Sequence, residues 1–150
     1  MKYYVETLIP ACHDEYTLTN EEKRSYLPGW ISNSTSLNGS TPVERAFMYR
    51  TSDQLNTYIF FGQYAAYSSG GYVYEFRGPL SQIRSELSEL HQLAWIDNRT
   101  RAVIIQMNLY NPNVPIFTSA VLIVELLSSS GLFPTTRFEP LDFSGIHLII

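Results

Sequence analysis

Apolar and polar positions alternate most regularly between Arg101 and Tyr110. Val103, Ile105, Met107 and Leu109 would share one face there, against Ala102, Ile104, Gln106, Asn108 and Tyr110, which is the period-two mark of a strand. Asn111-Pro112-Asn113 reads as a turn, and the near-continuous apolar run from Ile116 to Leu126 predicts a central strand. Ser128 to Gly131 turns the chain again, and Arg137 to Phe143 predicts a last strand that Pro140 places at an edge. A different period marks Pro79 to Ala94. Ile83, Leu87, Leu90 and Ala94 recur at helical spacing, with Arg84, Glu86 and Glu89 on the wet side and Pro79 at the first helical position.

The rest of the chain is less regular. Tyr3 to Ile9 predicts a strand stopped by Pro10. Cys12 to Ser40 reads as loop with one helical turn near Glu21 to Arg24, and Asn33 to Thr41 is a polar, turn-prone excursion. Ala46 to Arg50 and Tyr58 to Tyr67 read as strands joined by a turn around Ser52-Asp53. Ser68-Ser69-Gly70-Gly71 is a tight turn leading into a strand over Tyr72 to Phe76, a hairpin. The apolar end, Ile146 to Ile150, is either a truncation or a final buried strand. The predicted fold is α+β. It is one domain, 1–150, with an antiparallel sheet, one main helix packed on a face, and a long irregular region over 12–42.

Composition narrows what such a domain can do. Hydrophobic residues make up 45% of the 150 and charged residues 16%, which argues against disorder. With 11 tyrosines and 8 phenylalanines, the chain suits half-buried strand faces. The net charge of −4 and the absence of a basic stripe argue against nucleic acid and against anionic lipid surfaces. No apolar run reaches the ~18 residues of a membrane span, and Met1 to Pro10 lacks the apolar core of a signal peptide. The chain is therefore expected to be either cytosolic or a piece of something longer. The one cysteine, Cys12, excludes an internal disulfide. It is either a buried small hydrophobe or an exposed thiol that bridges to a partner.

Candidate chemistry is sparse. Cys12-His13-Asp14-Glu15 has metal-ligating residue types but not the spacing, and His91 and His147 lie far away in sequence. No nucleophile elbow, phosphate loop, zinc-protease or dinucleotide motif is present, so neither an enzyme nor a cofactor site is expected. Glu86 and Glu89, three apart on the helix, read as a solvated face. Three N-glycosylation sequons do stand out, at Asn33, Asn38 and Asn98. The first two share one polar loop, as expected of an ectodomain surface. Asn98 lies in a tight helix-to-strand turn, a poorer substrate for glycosyl transfer.

The stretch from Trp95 reads W-I-D-N-R-T-R-A-V-I-I-Q-M-N-L-Y-N and continues into V-L-I-V-E, ending at Glu125. Together with Y-S-S-G-G-Y over Tyr67 to Tyr72, and with Phe47 to Tyr49 ahead of Ser52 and Leu55, it resembles the polycystin extracellular domain. The resemblance covers 46–143. It implies a domain outside the membrane, between the first two helices of a TRP-type channel region, that covers the pore and packs against neighbouring subunits in a tetramer. It implies a multi-pass parent protein, a cation or calcium channel complex, and an extracellular or luminal face, with the ciliary membrane among the possible settings. Asn98-Arg99-Thr100 in the tryptophan motif and L-L-S-S-S-G-L-F-P-T-T after Glu125 depart from channel-type members and lean towards a receptor-type, polycystin-1-like one. Cys12 matches one cysteine of a loop disulfide in channel-type members, so the resemblance implies a partner outside this chain.

Physical roles for the motif residues can be read beside the resemblance. Gly70 and Gly71 make the turn. Trp95 closes the helical stripe, either as a core plug between helix and sheet or as an exposed ligand-binding aromatic. Asp97 can accept backbone N–H bonds at the following turn, and Arg101 could clasp it. The isolated chain is expected to associate only weakly. A stand-alone secreted binding or adhesion domain is the rival reading.

Overall fold

The computed structural model describes residues 16–32, 39–113, 116–127 and 131–142. The expected strand at Tyr3 to Ile9, the polar loop around Asn33 and Asn38, Cys12 and the apolar end at 146–150 lie outside them. Helices and antiparallel strands both occur, so the fold is broadly α+β. The described residues divide into two compact units, 16–61 with 65–100, and 62–64 with 101–142.

The first unit is made of short elements. Helix α1 (Pro42–Ala46) starts in a capping box: Thr41 accepts from the Glu44 amide, and Glu44 reaches back to the cap. Strand β1 (Tyr49–Arg50) follows, then α2 (Ser52–Leu55), capped in the same way by Thr51 and Gln54. These capping boxes correct two expectations. Ala46 ends a helix rather than starting a strand, and Ser52-Asp53 is a helical turn. In both places T-x-x-E/Q decides the local structure ahead of the aromatic strand formers beside it.

Strands β2 (Phe60–Phe61) and β3 (Ala66–Tyr67) pair antiparallel, so the strand expected over Tyr58 to Tyr67 is folded back on itself. Strand β4 (Gly71–Tyr72) pairs with β1, with Tyr49 opposite Tyr72, and not with the preceding strand as in the expected hairpin. Helix α3 (Leu80–Gln92) has Pro79 as its N-cap. Its stripe is buried only near the C-terminus: Leu90 is 2% exposed, whereas Leu87 is 49% exposed and Ala94 lies beyond the helix.

Leu90 packs with Tyr26, Ala46 and Phe47, and Trp30, Val43, Tyr72, Tyr74, Leu93 and Trp95 surround them. Trp30 meets Tyr26, Phe47 and Tyr72 edge-on at 5.6, 5.0 and 4.8 Å, the favoured geometry for aromatic pairs. Pro28-Gly29 supplies the turn that delivers Trp30, with Gly29 at φ 78° and Leu27 bridged to Ile31. Residues 21–24 form no regular element, without the helical turn expected there.

The second unit is a continuous ladder. Strands β5 (Ala102–Asn111), β6 (Ile116–Leu127) and β7 (Gly131–Asp142) form an antiparallel sheet in that order, with β6 central. β7 is an edge strand, and Pro134 and Pro140 face Val124 and Thr118 on β6. The register puts Met107, Ala120 and Phe138 in one row, and Ala102, Glu125 and Phe133 in a row on the opposite face. Among the described residues, no helix is long and apolar enough to cross a membrane.

Candidate functional site

Two turns and one buried carboxylate hold the motif residues. The first turn lies after α3. Leu93 ends the helix, and Ala94 takes a left-handed φ of 50°, which reverses the chain. The Trp95 amide then donates back to the Leu90 carbonyl at 3.0 Å. The indole packs against the aromatic core, and its Nε1–H donates to the Ala46 carbonyl at 2.9 Å, tying the end of α3 to the end of α1. A second indole repeats the device: Trp30 Nε1–H donates to the Ala94 carbonyl at 2.8 Å. Trp95 is thus part-buried among residues of 26–95, with its ring 6.5 Å from that of Tyr74.

Asp97 closes the turn that follows. Its Oδ1 accepts from the Arg99 amide at 2.9 Å and the Thr100 amide at 3.2 Å. The Thr100 hydroxyl accepts from the Asp97 amide at 3.0 Å and lies 3.3 Å from the Asp97 carboxylate. Asn98 and Arg99, at the tip, are exposed. The Arg101 carbonyl accepts from the Leu126 amide at 2.8 Å, which joins the start of β5 to the end of β6.

The second turn is Tyr67 to Tyr72. The Ser68 amide donates to the Tyr16 hydroxyl at 3.1 Å, and the Ser68 hydroxyl donates to Glu21 Oε1 at 2.5 Å. Tyr49 Oη–H reaches the same oxygen at 3.4 Å, and Lys23 lies 3.6 Å from the other one. Glu21 therefore ties the irregular region to β1 and to the turn that leads into β4. Gly70 is where the turn meets β1: an added Cβ would collide with the Tyr49 hydroxyl and stand 2.9 Å from the Arg50 carbonyl. Gly71 has open space around its Cα and serves as the pairing partner of Arg50. Burial raises the pKa values of Tyr49 and Tyr72 above the ordinary value of 10, so both phenols stay neutral hydrogen-bonding groups. The Tyr72 hydroxyl donates to the Arg24 carbonyl at 2.7 Å.

Glu125 is the residue the sequence reading used only as a motif letter. It is fully buried, on the β6 face shared with Ile123. Its oxygens accept from the Gln63 and Tyr64 amides at 2.6 and 3.0 Å. Gly62 passes so close that a side chain there would collide with the carboxylate. A buried carboxylate is tolerable only when N–H donors replace its water. A lone acidic residue inside the apolar run 116–127 was the signal that could have found it. On the other face, Ile105, Met107, Leu109 and Phe138 stay exposed, which leaves one side of the sheet apolar.

Among the described residues, no group of three or more acidic, histidine or cysteine side chains could hold a metal ion. Trp95, Asp97, Gly70 and Gly71 lie in the first unit and Arg101 and Glu125 in the second. Their hydrogen bonds shape the backbone.

Comparison with known proteins gives a consistent result. The model of the family described as the polycystin domain matches residues 1–144. The chain is 34% identical over 131 residues to Location of vulva defective 1 of Caenorhabditis elegans, covering 87% of this chain and 4% of that protein. It is 31% identical over 116 residues to Polycystin-1-like protein 3 of Mus musculus, covering 77% of this chain and 5% of that protein. It is 28% identical over 128 residues to Polycystin-2 of Danio rerio, covering 85% of this chain and 13% of that protein. The chain thus spans a small part of the length of each of these relatives.

Proposed function

The chain belongs to the polycystin domain family, and from that premise we propose that it is the extracellular or luminal domain of a multi-pass polycystin-type protein, where it helps assemble and regulate a cation or calcium channel complex. The observation that carries this reading is the apolar sheet face. Ile105, Met107, Leu109 and Phe138 stand exposed on a rigid ladder, which is the composition of a surface that a protein partner covers. Neighbouring polycystin subunits, in a tetramer, are the proposed partner. The isolated chain associates weakly in this reading, because membrane-spanning parts of the parent would supply most of the assembly energy. Cys12 would pair with a cysteine outside this chain, and Asn33, Asn38 and Asn98 would carry glycans. The motif residues Gly70, Gly71, Trp95, Asp97 and Arg101 maintain the fold.

The test uses the full-length parent protein in eukaryotic cells. Met107→Glu places a charge on the exposed face, at a side chain that is itself 46% exposed. Subunit complexes at the cell surface should be strongly reduced, while the variant still reaches the endoplasmic reticulum and gains glycans. Unchanged complexes would remove the interface reading. Full-length protein without glycans at Asn33, Asn38 and Asn98 would remove the extracellular one and favour a different setting for the domain.

A further inference from the structure

The Asn98 sequon is built into the turn it would modify. Such a sequon is recognised through the hydroxyl two residues after the asparagine, here that of Thr100. In the folded chain this hydroxyl accepts from the Asp97 amide at 3.0 Å and lies 3.3 Å from the Asp97 carboxylate. The same carboxylate holds the Arg99 and Thr100 amides, and the Thr100 amide also lies 3.2 Å from the Asp97 carbonyl. The hydroxyl, and the backbone on both sides of it, are engaged once the turn closes. Asn98 itself is exposed at the tip of the turn.

Resting on the extracellular reading above, we propose that glycosylation and folding compete for the Thr100 hydroxyl, so that Asn98 is modified only before the Asp97 turn closes. The donor is a lipid-linked oligosaccharide pyrophosphate. Asn98 Nδ2 loses a proton and bonds to C1 of the first sugar as the C1–O bond to phosphate breaks, releasing the lipid pyrophosphate. Asp97 is a positioning residue here. By closing the turn it sets how long the sequon stays open, and therefore what fraction of chains carries the glycan.

The experiment measures site occupancy by mass spectrometry of glycopeptides from newly made full-length protein, taken from whole cells so that retained variants still report. Asp97→Ala keeps the sequon and removes the carboxylate. Asp97→Asn keeps a side-chain oxygen able to accept the same amides. Occupancy at Asn98 should rise about twofold or more in Asp97→Ala and stay near wild type in Asp97→Asn, with Asn33 and Asn38 unchanged as internal standards. Equal Asn98 occupancy in wild type and Asp97→Ala, with glycans at Asn33 or Asn38, overturns the competition but leaves the extracellular reading standing. A parallel rise at all three sites also overturns it, since that reports general slow folding. No glycan at any site overturns the extracellular reading and this inference with it.

Discussion

The two units reach stability by different means. In the sheet, three strands of 10 to 12 residues pair along their whole length, so backbone ladders supply most of the order. Among the described residues of the aromatic unit no strand exceeds two residues, and order comes from side chains acting over long sequence separations. Two indole N–H groups reach carbonyls 49 and 64 residues away, and Glu21 reaches Ser68 across 47. A ladder loses little when one side chain changes. A unit fastened at a few points loses much, so point substitutions should separate the two.

The largest expected effect is Phe47→Ala. Phe47 is fully buried at the centre of the aromatic cluster, and emptying such a site costs about 3–5 kcal/mol, against about 5–15 kcal/mol for a whole domain. Hydrogen exchange should show protection lost first in residues 42–95. Equal loss in β5 and β6 would break the contrast drawn here. Trp95→Ala should fall close behind, because it removes both packing and the N–H bond to Ala46. A melting temperature within a degree or two of wild type would instead point to an exposed binding role for Trp95.

Glu125→Ala tests the place where the sheet behaves like the other unit. It leaves the Gln63 and Tyr64 amides without their acceptor, at about 1–3 kcal/mol for each buried group. Denaturant unfolding should show a clear drop in midpoint, and Glu125→Gln, which keeps an acceptor oxygen, should recover part of it. Full stability in Glu125→Ala would mean the carboxylate does not anchor residues 62–64. Gly70→Ala should cost about 1–3 kcal/mol by overpacking against Tyr49, and Tyr49→Phe should relieve part of that in the double variant. Additive losses would dismiss that contact as the cause.

Acid sensitivity is the smallest effect and belongs to the aromatic unit. Hydrogen bonds from Arg24 hold the Glu22 pKa at about 2, against 4.5 ordinarily. Glu44, bonded by Ser40 and Thr41, and Glu75, bonded by Arg77, are also lowered. A depressed folded pKa contributes stability above the unfolded value, and that contribution fades as pH falls through the folded one. Melting temperature should therefore decline from pH 4.5 towards pH 2. Because Glu22 and Glu75 are exposed and Glu44 is only half-buried, the decline should be shallow, and 1 M salt should flatten it. A decline centred above pH 5 would implicate other groups.

How much could be read in advance follows the same division. Alternation at 101–110, the apolar run at 116–126 and Pro140 were enough to read three strands with the second central and the third at an edge, because these are local signals, but β7 begins at Gly131 rather than at Arg137 as expected. The helix at 80–92 was legible for the same reason. In the aromatic unit, strand propensity at Phe47 and Tyr58 misled, since capping boxes at Thr41 and Thr51 and a reversal at 62–65 took precedence. The sequence by itself determined the family pattern, the helix at 80–92 and the three strands that follow it. Only the tertiary structure decided that β4 pairs with β1, that Trp30 and Trp95 fasten the end of α3, and that Glu125 is a buried acceptor. Those outcomes depend on groups dozens of residues apart meeting at hydrogen-bond distance, and no local period or propensity encodes which distant carbonyl or amide will be there.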